Sequence, residues 1–216
     1  VQGLTNFWVA CGVMAGFSQG GGVGLALSNW MVNGDPGFDV WGMDVARWGE
    51  WASLRYTNAK VRENYSRRFS IRFPNEELPA GRQLKTTPVY DLLAARGAQF
   101  GVAYGLEVPL WYAPEGVQDQ FSWRRSTDFE HVANEVRTVR ERVGLMEISS
   151  FAKYRVTGEG APAFLDRLLA CKLPAEGRTT LAPMLKDDGR LIGDFTLANL
   201  GGGEWFIAGS GVAEQY

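Results

Sequence analysis

The sequence predicts an α+β protein with three successive regions, and three patterns indicate it. The chain opens with an apolar run at 7–11, a glycine-rich stretch and an apolar helical stretch that ends near Met31. A middle stretch carries apolar residues at helical spacing. The last third combines valines at helical spacing with short apolar runs between turn residues, which is typical of antiparallel strands. With 216 residues, 45% hydrophobic and 21% charged, the chain can form one or two domains with real cores.

The first region, residues 1–37, has the pattern of a strand, a loop and a helix. Residues 7–11 form a short continuous apolar run, as in a strand that is buried on both faces. The turn residues at 33–37 end the helix. Because a parallel strand needs neighbours on both sides and this sequence offers none, we expect the chain to be an interior piece of a longer protein.

The glycine-rich loop at 12–24 is a candidate ligand site. A strand, loop and helix in this order aim the N–H groups of the helix N-terminus at whatever lies over the strand end, and glycines allow close approach. The common phosphate motifs are absent, since no Gly-Lys-Ser/Thr follows and Leu27 occupies the place of a third glycine. A planar cofactor with anionic or carbonyl edges fits this pattern. A tight turn with a closely packed helix fits it equally, and the glycines alone leave both open.

The second region, residues 38–120, is predicted to hold two helices and a strand. The first helix falls within 48–69, with an apolar packing face at Trp51, Leu54, Val61 and Tyr65. The second helix, 89–96, begins after Pro88 and ends at Gly97. A strand at 98–104 follows, and a polar linker occupies 113–120. Glu107 and Trp111 are tempting site residues, but a buried aromatic residue with one paired carboxylate is the preferred interpretation.

The third region, residues 121–216, is predicted to be a new α+β domain. Valines recur at helical spacing at Val132, Val136, Val139 and Val143. Gly144 ends this helix, and a second helix begins near Pro162. Strands are predicted at 153–157, 180–185, 191–200 and 205–208. A hairpin turn at 186–189 joins the middle two strands.

The composition argues against several classes of function. The net charge of −2 and the lack of long Lys/Arg blocks argue against nucleic acid as a partner. No apolar stretch approaches the roughly 20 residues of a membrane span, and no targeting signal is visible. Cys11 and Cys171 are predicted to be buried, reduced thiols. His131 is the single histidine, so we expect no metal site and assign it to the surface near a helix start.

Residues 6–12, together with 16–18 and 20–22, resemble the last flavin-contacting loop of D-amino-acid-oxidase-like FAD enzymes, most closely the dimethylglycine/sarcosine dehydrogenase family. In that family the loop and helix N-terminus lie against the pyrimidine edge of the flavin. The resemblance therefore implies FAD as cofactor and assigns 1–37 to the C-terminal strand-loop-helix of the FAD-binding domain. The implied contacts are Gly12, Gly16, Phe17, Ser18, Gln19, Gly20, Gly21, Gly22 and Val23. The central domain of the same family resembles this chain at 56–60, 62–65 and 111–112. The resemblance therefore assigns residues 38–120 to that central domain and its linker.

The third region resembles the N-terminal half of the glycine-cleavage T-protein (aminomethyltransferase), a fold that these dehydrogenases carry after their flavin part. The matching segments are 143–149, 153–158, 161–165, 183–185, 188–190 and 193–196. The resemblance implies that 121–216 is the N-terminal part of a domain that binds tetrahydrofolate. Phe151 and Met184 lie where that family lines its pterin pocket, although T-proteins usually carry Ser-His-Met where this chain has Phe151.

Asp194 is the implied catalytic residue. It sits in an apolar strand, where an unpaired carboxylate is costly unless it is hydrogen-bonded or has a function. In related domains the aspartate of this Gly-Asp-x-Thr site contacts tetrahydrofolate near the atoms that receive the one-carbon unit. A carboxylate there can orient the folate amine, accept a proton or stabilise positive charge. From the strand pattern alone, an aspartate that faces solvent or caps a turn is the alternative.

The resemblance implies two linked reactions. FAD oxidises an N-methylated amino acid, and the one-carbon unit passes to tetrahydrofolate or is released as formaldehyde. Electron-transfer flavoprotein or oxygen is the implied electron acceptor, and the bacterial cytoplasm or the mitochondrial matrix the implied location. The interior piece alone is not expected to turn over. The alternatives are sarcosine dehydrogenase or another methylamine oxidoreductase, a non-catalytic regulatory subunit, and a folate-binding module without a redox role.

Overall fold

The computed structural model describes residues 3–215 and confirms the α+β class. The chain forms two compact units, one made mainly of residues up to Glu50 and the other of Trp51–Glu214. Five α-helices and six strands occur in this described part of the chain. None of its helices combines the length and the apolar character needed to cross a bilayer.

The first unit contains α1 (Gly16–Asn33) and two short 3-10 turns. The predicted strand at 7–11 is wrong, because these residues have no regular structure and Phe7 is exposed. A strand exists only by pairing, and none of the six described strands pairs with this segment. The predicted burial of Cys11 is wrong as well, since its thiol is free and exposed, although Trp8 in the same segment is half-buried against Trp30; Cys171 is free and half-buried.

The second unit begins with α2 (Leu54–Ser66), which lies within the predicted helix. The predicted apolar packing face is wrong in three of its members, which are exposed: Leu54, Val61 and Tyr65. The covered side combines the ring of Tyr56, which packs edge-on against Trp51, with polar groups. Lys60 Nζ donates to the Leu78 carbonyl at 2.8 Å, and the Glu63 carboxylate accepts the Ala80 N–H at 2.9 Å. The helix thus satisfies backbone groups of the following loop, a role that apolar spacing does not reveal.

A β-hairpin follows the short helix α3 (Tyr90–Ala94). Its strands, β1 (Ala98–Ala103) and β2 (Leu106–Tyr112), pair antiparallel. Glu107 on β2 is 2% exposed and forms an ion pair with Arg82, whose Nε donates to Glu107 Oε1 at 3.0 Å. Trp111 is also buried, so the interpretation of a buried aromatic residue with one paired carboxylate is confirmed.

Helix α4 (Asp128–Glu141) meets β2 through polar and aromatic groups. His131 lies in the first turn of α4, as predicted, but it is half-buried and its ring stacks on Trp111 with 5.4 Å between centroids. The Glu135 carboxylate accepts the Tyr112 N–H at 3.0 Å. Most of the predicted apolar face is exposed: Val136, Val139 and Val143. The side of α4 that contacts the strand is therefore adjacent to the side that the valines mark.

The last part of the chain folds into a four-stranded antiparallel sheet of order β3-β6-β5-β4. The strands are β3 (Ala152–Thr157), β4 (Thr179–Leu185), β5 (Leu191–Gly201) and β6 (Glu204–Gly209). All four predicted strands are confirmed to within one residue at each end. The predicted hairpin turn is confirmed as well, since Lys186 N donates to the Arg190 carbonyl at 2.8 Å.

The core lies on one face of this sheet, which we call the inner face, and α5 (Ala161–Leu168) supplies its helical part. Leu165 of α5 and Leu197 of β5 are completely buried. The core consists of Ala161, Leu165, Leu169, Ala182, Phe195, Leu197, Trp205 and Ile207. Because side chains alternate along a strand, the residues between these core positions lie on the opposite, outer face.

Candidate functional site

Most of the predicted glycine-rich loop is helical. Helix α1 begins at Gly16, so the predicted contacts from Gly16 to Val23 form its first two turns. Gly12 alone lies in the irregular segment before it, with φ of 70°. The loop prediction is therefore wrong over most of its length. Each glycine costs a helix roughly 1 kcal/mol relative to alanine, but it does not forbid one.

The N-terminal half of α1 presents bare backbone. A Cβ built on the glycines here would meet no described atom within 4 Å: Gly16, Gly20, Gly21 and Gly22. Phe17 is fully exposed, and no described residue of α1 is buried. The alternative of a closely packed helix therefore finds no support in the part of the chain that the structure describes.

The start of α1 fits the edge of a planar, electron-rich group. Ser18 N and Gln19 N both bond to the Ala15 carbonyl, at 3.1 and 2.9 Å, whereas the N–H groups of Gly16 and Phe17 have no acceptor among residues 3–215. Ala15 offers no side-chain cap. A helix N-terminus attracts negative charge by typically ~0.3–1 kcal/mol when exposed, and up to ~2 when partly buried. The residues present are thus compatible with the flavin edge implied by the resemblance, and the individual contacts stay predictions.

Asp194 lies on the outer face of the sheet and is exposed, opposite Pro183 of β4. The expectation of a carboxylate embedded in apolar surroundings is wrong, because alternation sends Phe195 to the core and turns Asp194 outward. No described residue donates a hydrogen bond to its carboxylate. Thr196, two positions further along β5, is also exposed on this face. Asp194 and Thr196 therefore offer a carboxylate and a hydroxyl to whatever covers the outer face.

The other two predicted folate contacts lie elsewhere. Met184 pairs with Gly193 and packs against the core on the inner face. Phe151, just before β3, lines a cavity of about 220 Å³ that neither Met184 nor Asp194 lines. Met184 and Asp194 are on opposite faces of one sheet, so the structure does not gather the three residues into one site. Their roles toward folate stay predictions.

Sequence reasoning missed the cavity. It is formed where Lys85, which lies in no named strand, pairs in parallel with Leu106 of β2. Lys85 N donates to the Gly105 carbonyl at 3.1 Å, and Glu107 N donates to the Lys85 carbonyl at 2.9 Å. These bonds hold Lys85 against the β1–β2 hairpin, and the loop 149–151, more than sixty residues further along the chain, lines the same cavity. No local sequence pattern around Lys85 predicts this long-range contact.

A pair of carboxylates beside Trp111 was also missed. Burial, followed by the nearby charge of Asp128, raises the pKa of Asp119 above its ordinary value, and the hydrogen bond from the Trp111 side chain opposes this shift. The sequence gives little indication that Asp119 is partly buried, because it belongs to a segment that was predicted to be a polar linker.

Two family models match the chain in succession. The FAD dependent oxidoreductase central domain matches residues 33–87, and the GCVT N-terminal domain matches residues 89–216. The second match begins well before residue 121, where we predicted the third region to start. The predicted domain boundaries stay predictions.

Curated relatives align along most of the chain. Rat (Rattus norvegicus) mitochondrial dimethylglycine dehydrogenase is 36% identical over 97% of this chain and 25% of its own length. The formaldehyde-forming 4-methylaminobutanoate oxidase of Paenarthrobacter nicotinovorans is 34% identical over 80% of this chain and 21% of its own. The mitochondrial pyruvate dehydrogenase phosphatase regulatory subunit of Mus musculus is 31% identical over 91% and 25%. The chain thus spans about a quarter of the length of such relatives.

Among solved structures, aminomethyltransferase T of the Bartonella henselae glycine cleavage system superposes with a TM-score of 0.46. It is 25% identical, with 61% of this chain and 32% of that chain covered. The two family matches and the relatives confirm the resemblance to the dimethylglycine/sarcosine dehydrogenase family with its T-protein-like domain. This chain belongs to the GCVT N-terminal domain family and carries, immediately before that domain, an FAD dependent oxidoreductase central domain.

Proposed function

We propose that this chain serves an FAD-dependent oxidation of N-methylated amino acids such as dimethylglycine, coupled to transfer of the released carbon to tetrahydrofolate. One observation carries the proposal: a flavoenzyme central domain and a folate-type domain follow each other within 216 residues. The identity of 36% to rat dimethylglycine dehydrogenase over 97% of the chain supports the same order of parts. No activity is expected of the chain alone.

The start of α1 would hold the edge of FAD. When bound, the flavin supplies the two-electron oxidation of the amine. The bare glycine backbone permits close approach, and the N–H groups of Gly16 and Phe17, which have no acceptor among residues 3–215, can donate to acceptor atoms at that edge. The dipole of α1 favours negative charge at the same place. This part of the chain therefore binds and polarises, and contributes no side-chain acid or base.

Asp194 would act on the folate side of the reaction. Its carboxylate accepts hydrogen bonds, so it can hold an amine N–H of tetrahydrofolate and take up a proton as nitrogen attacks the one-carbon unit. Its exposure leaves it accessible to a ligand on the outer face. Thr196 supplies a second polar group on that face. If transfer fails to occur, the carbon leaves as formaldehyde.

The test uses the natural gene product that contains this chain. Its flavin absorbance is recorded anaerobically with dimethylglycine, with sarcosine and with buffer alone. Bleaching with dimethylglycine first supports the proposal, whereas faster bleaching with sarcosine selects the alternative of a sarcosine dehydrogenase. A protein that carries flavin but bleaches with neither substrate contradicts both.

A non-catalytic role is the second candidate, because the pyruvate dehydrogenase phosphatase regulatory subunit is 31% identical over 91% of the chain. A gene product that binds no flavin and consumes no amine would favour this role, or a folate module without redox chemistry.

The electron acceptor is identified separately. Oxygen consumption during turnover would identify oxygen as the acceptor, and its absence would favour electron-transfer flavoprotein. If the source cell is eukaryotic, isolation of its mitochondria tests the matrix location.

A further inference from the structure

Positive charge is concentrated on the exposed side of α2 and on the segment 67–73 that follows it. Residues 51–75 contain six lysines and arginines but a single acidic residue, Glu63, whereas the whole chain has a net charge of −2. One stretch is therefore strongly basic in a chain that is acidic elsewhere. We call the exposed side of α2 together with residues 67–73 the basic face.

Three arginines of the basic face have no anionic partner in the part of the chain that the structure describes. Arg55, Arg62 and Arg72 are exposed, and none of them forms an ion pair within residues 3–215. Their guanidinium groups are therefore available to an anionic surface outside the described residues.

The acidic groups nearby are already engaged with other cations. Glu63 is 13% exposed, pairs with Lys60 and lies on the covered side of α2. The Glu76 carboxylate pairs with Arg67. Neither acid therefore neutralises the three exposed arginines, and the positive charge of the basic face is directed outward.

An apolar stripe runs along the same face. Leu54, Val61 and Tyr65 recur at helical spacing on one side of α2, and more than half of each side chain is exposed. The stripe continues after the helix, where Phe69 is 92% and Ile71 is 83% exposed. Scattered apolar residues are normal on a surface, but a continuous exposed group of them marks an interaction site.

Charge and apolar surface adjoin each other along the basic face. Arg55 and Arg62 each directly follow a residue of the stripe, so they lie about 100° around the helix from it. Beyond the helix, the Arg68 guanidinium lies 5.5 Å from the centroid of the Phe69 ring. The face thus combines an apolar stripe with a border of arginines.

A second segment of the chain adjoins the end of the basic face. The Phe73 ring lies 4.7 Å from the Trp123 ring, centroid to centroid. Trp123 is itself 60% exposed, and the two residues after it, Arg124 and Arg125, are exposed as well. This contact adds two arginines and an aromatic side chain with a polar N–H, the residue type that favours a membrane–water interface.

We propose that the basic face docks on the surface of an anionic lipid bilayer. The arginines bind lipid phosphates, and the apolar stripe enters the boundary between head groups and acyl chains, as in helices that lie in the interface. The proposal goes beyond the two proposed reactions. Neither FAD nor folate takes part, so its test succeeds or fails independently of them.

A bilayer accounts for both components of the basic face. A single-stranded nucleic acid would bind the arginines and stack its bases on Tyr65 and Phe69, but Leu54, Val61 and Ile71 offer no ring for a base. An acidic protein would bind the arginines but would also have to supply an apolar groove that matches the stripe. A lipid interface provides phosphates and acyl chains together and requires no matching shape.

The experiment uses the natural gene product that contains this chain. It is sedimented with vesicles of phosphatidylcholine and phosphatidylglycerol in equal parts, and with vesicles of phosphatidylcholine alone. We expect at least about tenfold tighter binding to the anionic vesicles, because each basic residue near such a surface contributes about fivefold. Added salt should weaken this binding. These arms use the unmodified protein, so they decide the question even if a variant fails to fold.

Charge-removing variants locate the contact. Arg62→Gln combined with Arg72→Gln should weaken binding to the anionic vesicles by about tenfold or more. Arg137→Gln combined with Arg140→Gln removes the same charge from exposed positions of α4 and should leave binding unchanged. The comparison separates the basic face from the net charge of the protein.

A second pair of variants tests the apolar stripe. Phe69→Ser should weaken binding to the anionic vesicles by about tenfold or more, because a phenylalanine side chain no longer leaves water. Phe164→Ser, at an exposed phenylalanine of α5, should leave binding unchanged. Equal effects of the two substitutions would show that the stripe is not the contact.

Several other results would overturn the proposal. Equal binding to neutral and anionic vesicles would exclude the arginines as its basis. Displacement of the protein from vesicles by polyuridylate would assign the basic face to nucleic acid. Binding by the 216-residue chain but not by the natural gene product would mean that the rest of that product covers the face. Binding by neither would leave the basic face without a lipid partner and favour an acidic protein.

Discussion

Helices α1 and α5 are both rich in apolar residues, but they differ in how much of their surface the described residues of this chain bury. Helix α5 has 8 residues and buries Ala161 and Leu165, because the inner face of the sheet meets it. Helix α1 has 18 residues and buries none of those described. Glycines show a similar contrast: a Cβ on Gly21 of α1 would meet nothing within 4 Å, whereas one on Gly209 of β6 would collide with Phe195. Apolar composition alone therefore does not specify packing, and the covering surface has to be supplied.

A buried and an exposed ion pair extend this comparison, and the largest loss of stability is expected at the buried pair of Arg82 and Glu107. Glu107→Ala leaves the Arg82 guanidinium, 19% exposed, without its carboxylate, and loss of one partner of such a pair costs about 3–5 kcal/mol. Urea unfolding of the chain measures the change. Glu204→Ala removes the partner of the exposed Arg155 and serves as control, with little change expected. Equal losses in the two variants would mean that burial does not distinguish these pairs.

The next effect compares the two helices directly. Leu165→Ala removes a completely buried side chain, which costs about 2–5 kcal/mol depending on how far the cavity collapses. Leu25→Ala removes a side chain of α1 that is 55% exposed, so a much smaller change is expected. Both are measured by chemical unfolding followed by far-UV circular dichroism. A comparable loss at Leu25 would show that α1 has a packing partner in this chain.

Alanine substitutions at two glycines are expected to change the free energy of unfolding in opposite directions. A Cβ at Gly209 would lie 2.2 Å from the Phe195 ring, so Gly209→Ala should destabilise the sheet by about 1–3 kcal/mol. A Cβ at Gly21 meets nothing within 4 Å, and Gly21→Ala should stabilise α1 by about 0.5–1 kcal/mol. Thermal unfolding monitored by helix signal and by tryptophan fluorescence separates the two. Stabilisation by Gly209→Ala would contradict the close packing of β5 and β6.

The smallest effect is a pH dependence in the linker. Because burial and Asp128 raise the pKa of Asp119 in the folded chain, folding favours its protonated form. This contribution is fully stabilising below the unfolded pKa of about 4 and is lost as pH rises through the folded pKa. Asp119→Asn should therefore be more stable than the wild type at pH 7, and the advantage should shrink toward pH 3. Urea unfolding across this range measures it, and a constant difference would exclude titration of Asp119 as its origin.

The sequence was sufficient for the sheet and its helix because their signals are local. Apolar alternation at 191–200 and 205–208 and the turn at 186–189 specify strands without reference to distant residues. The strand at 7–11 failed because pairing partners decide strand formation, and no described strand lies beside it.

The helix faces and the site needed information that spacing does not contain. Lys60 and Glu63 bind loop backbone, so part of the contact side of α2 is polar. The outward direction of Asp194 follows from the alternation that buries Phe195, and could have been read from the sequence. The cavity depends on Lys85 meeting β2 and on the loop 149–151 meeting both, which are long-range events.

The most direct test of the proposed coupling separates its two steps in one protein. Asp194→Ala is made in the natural gene product, with Asp187→Ala, an exposed residue of the hairpin turn, as matched control. Flavin reduction by dimethylglycine and the yield of 5,10-methylene-tetrahydrofolate are then measured side by side. We predict unchanged flavin reduction and a reduced methylene-tetrahydrofolate yield for Asp194→Ala, with formaldehyde released instead, and no change for the control. Equal loss of both readouts, or an unchanged folate yield, would contradict the assignment of Asp194.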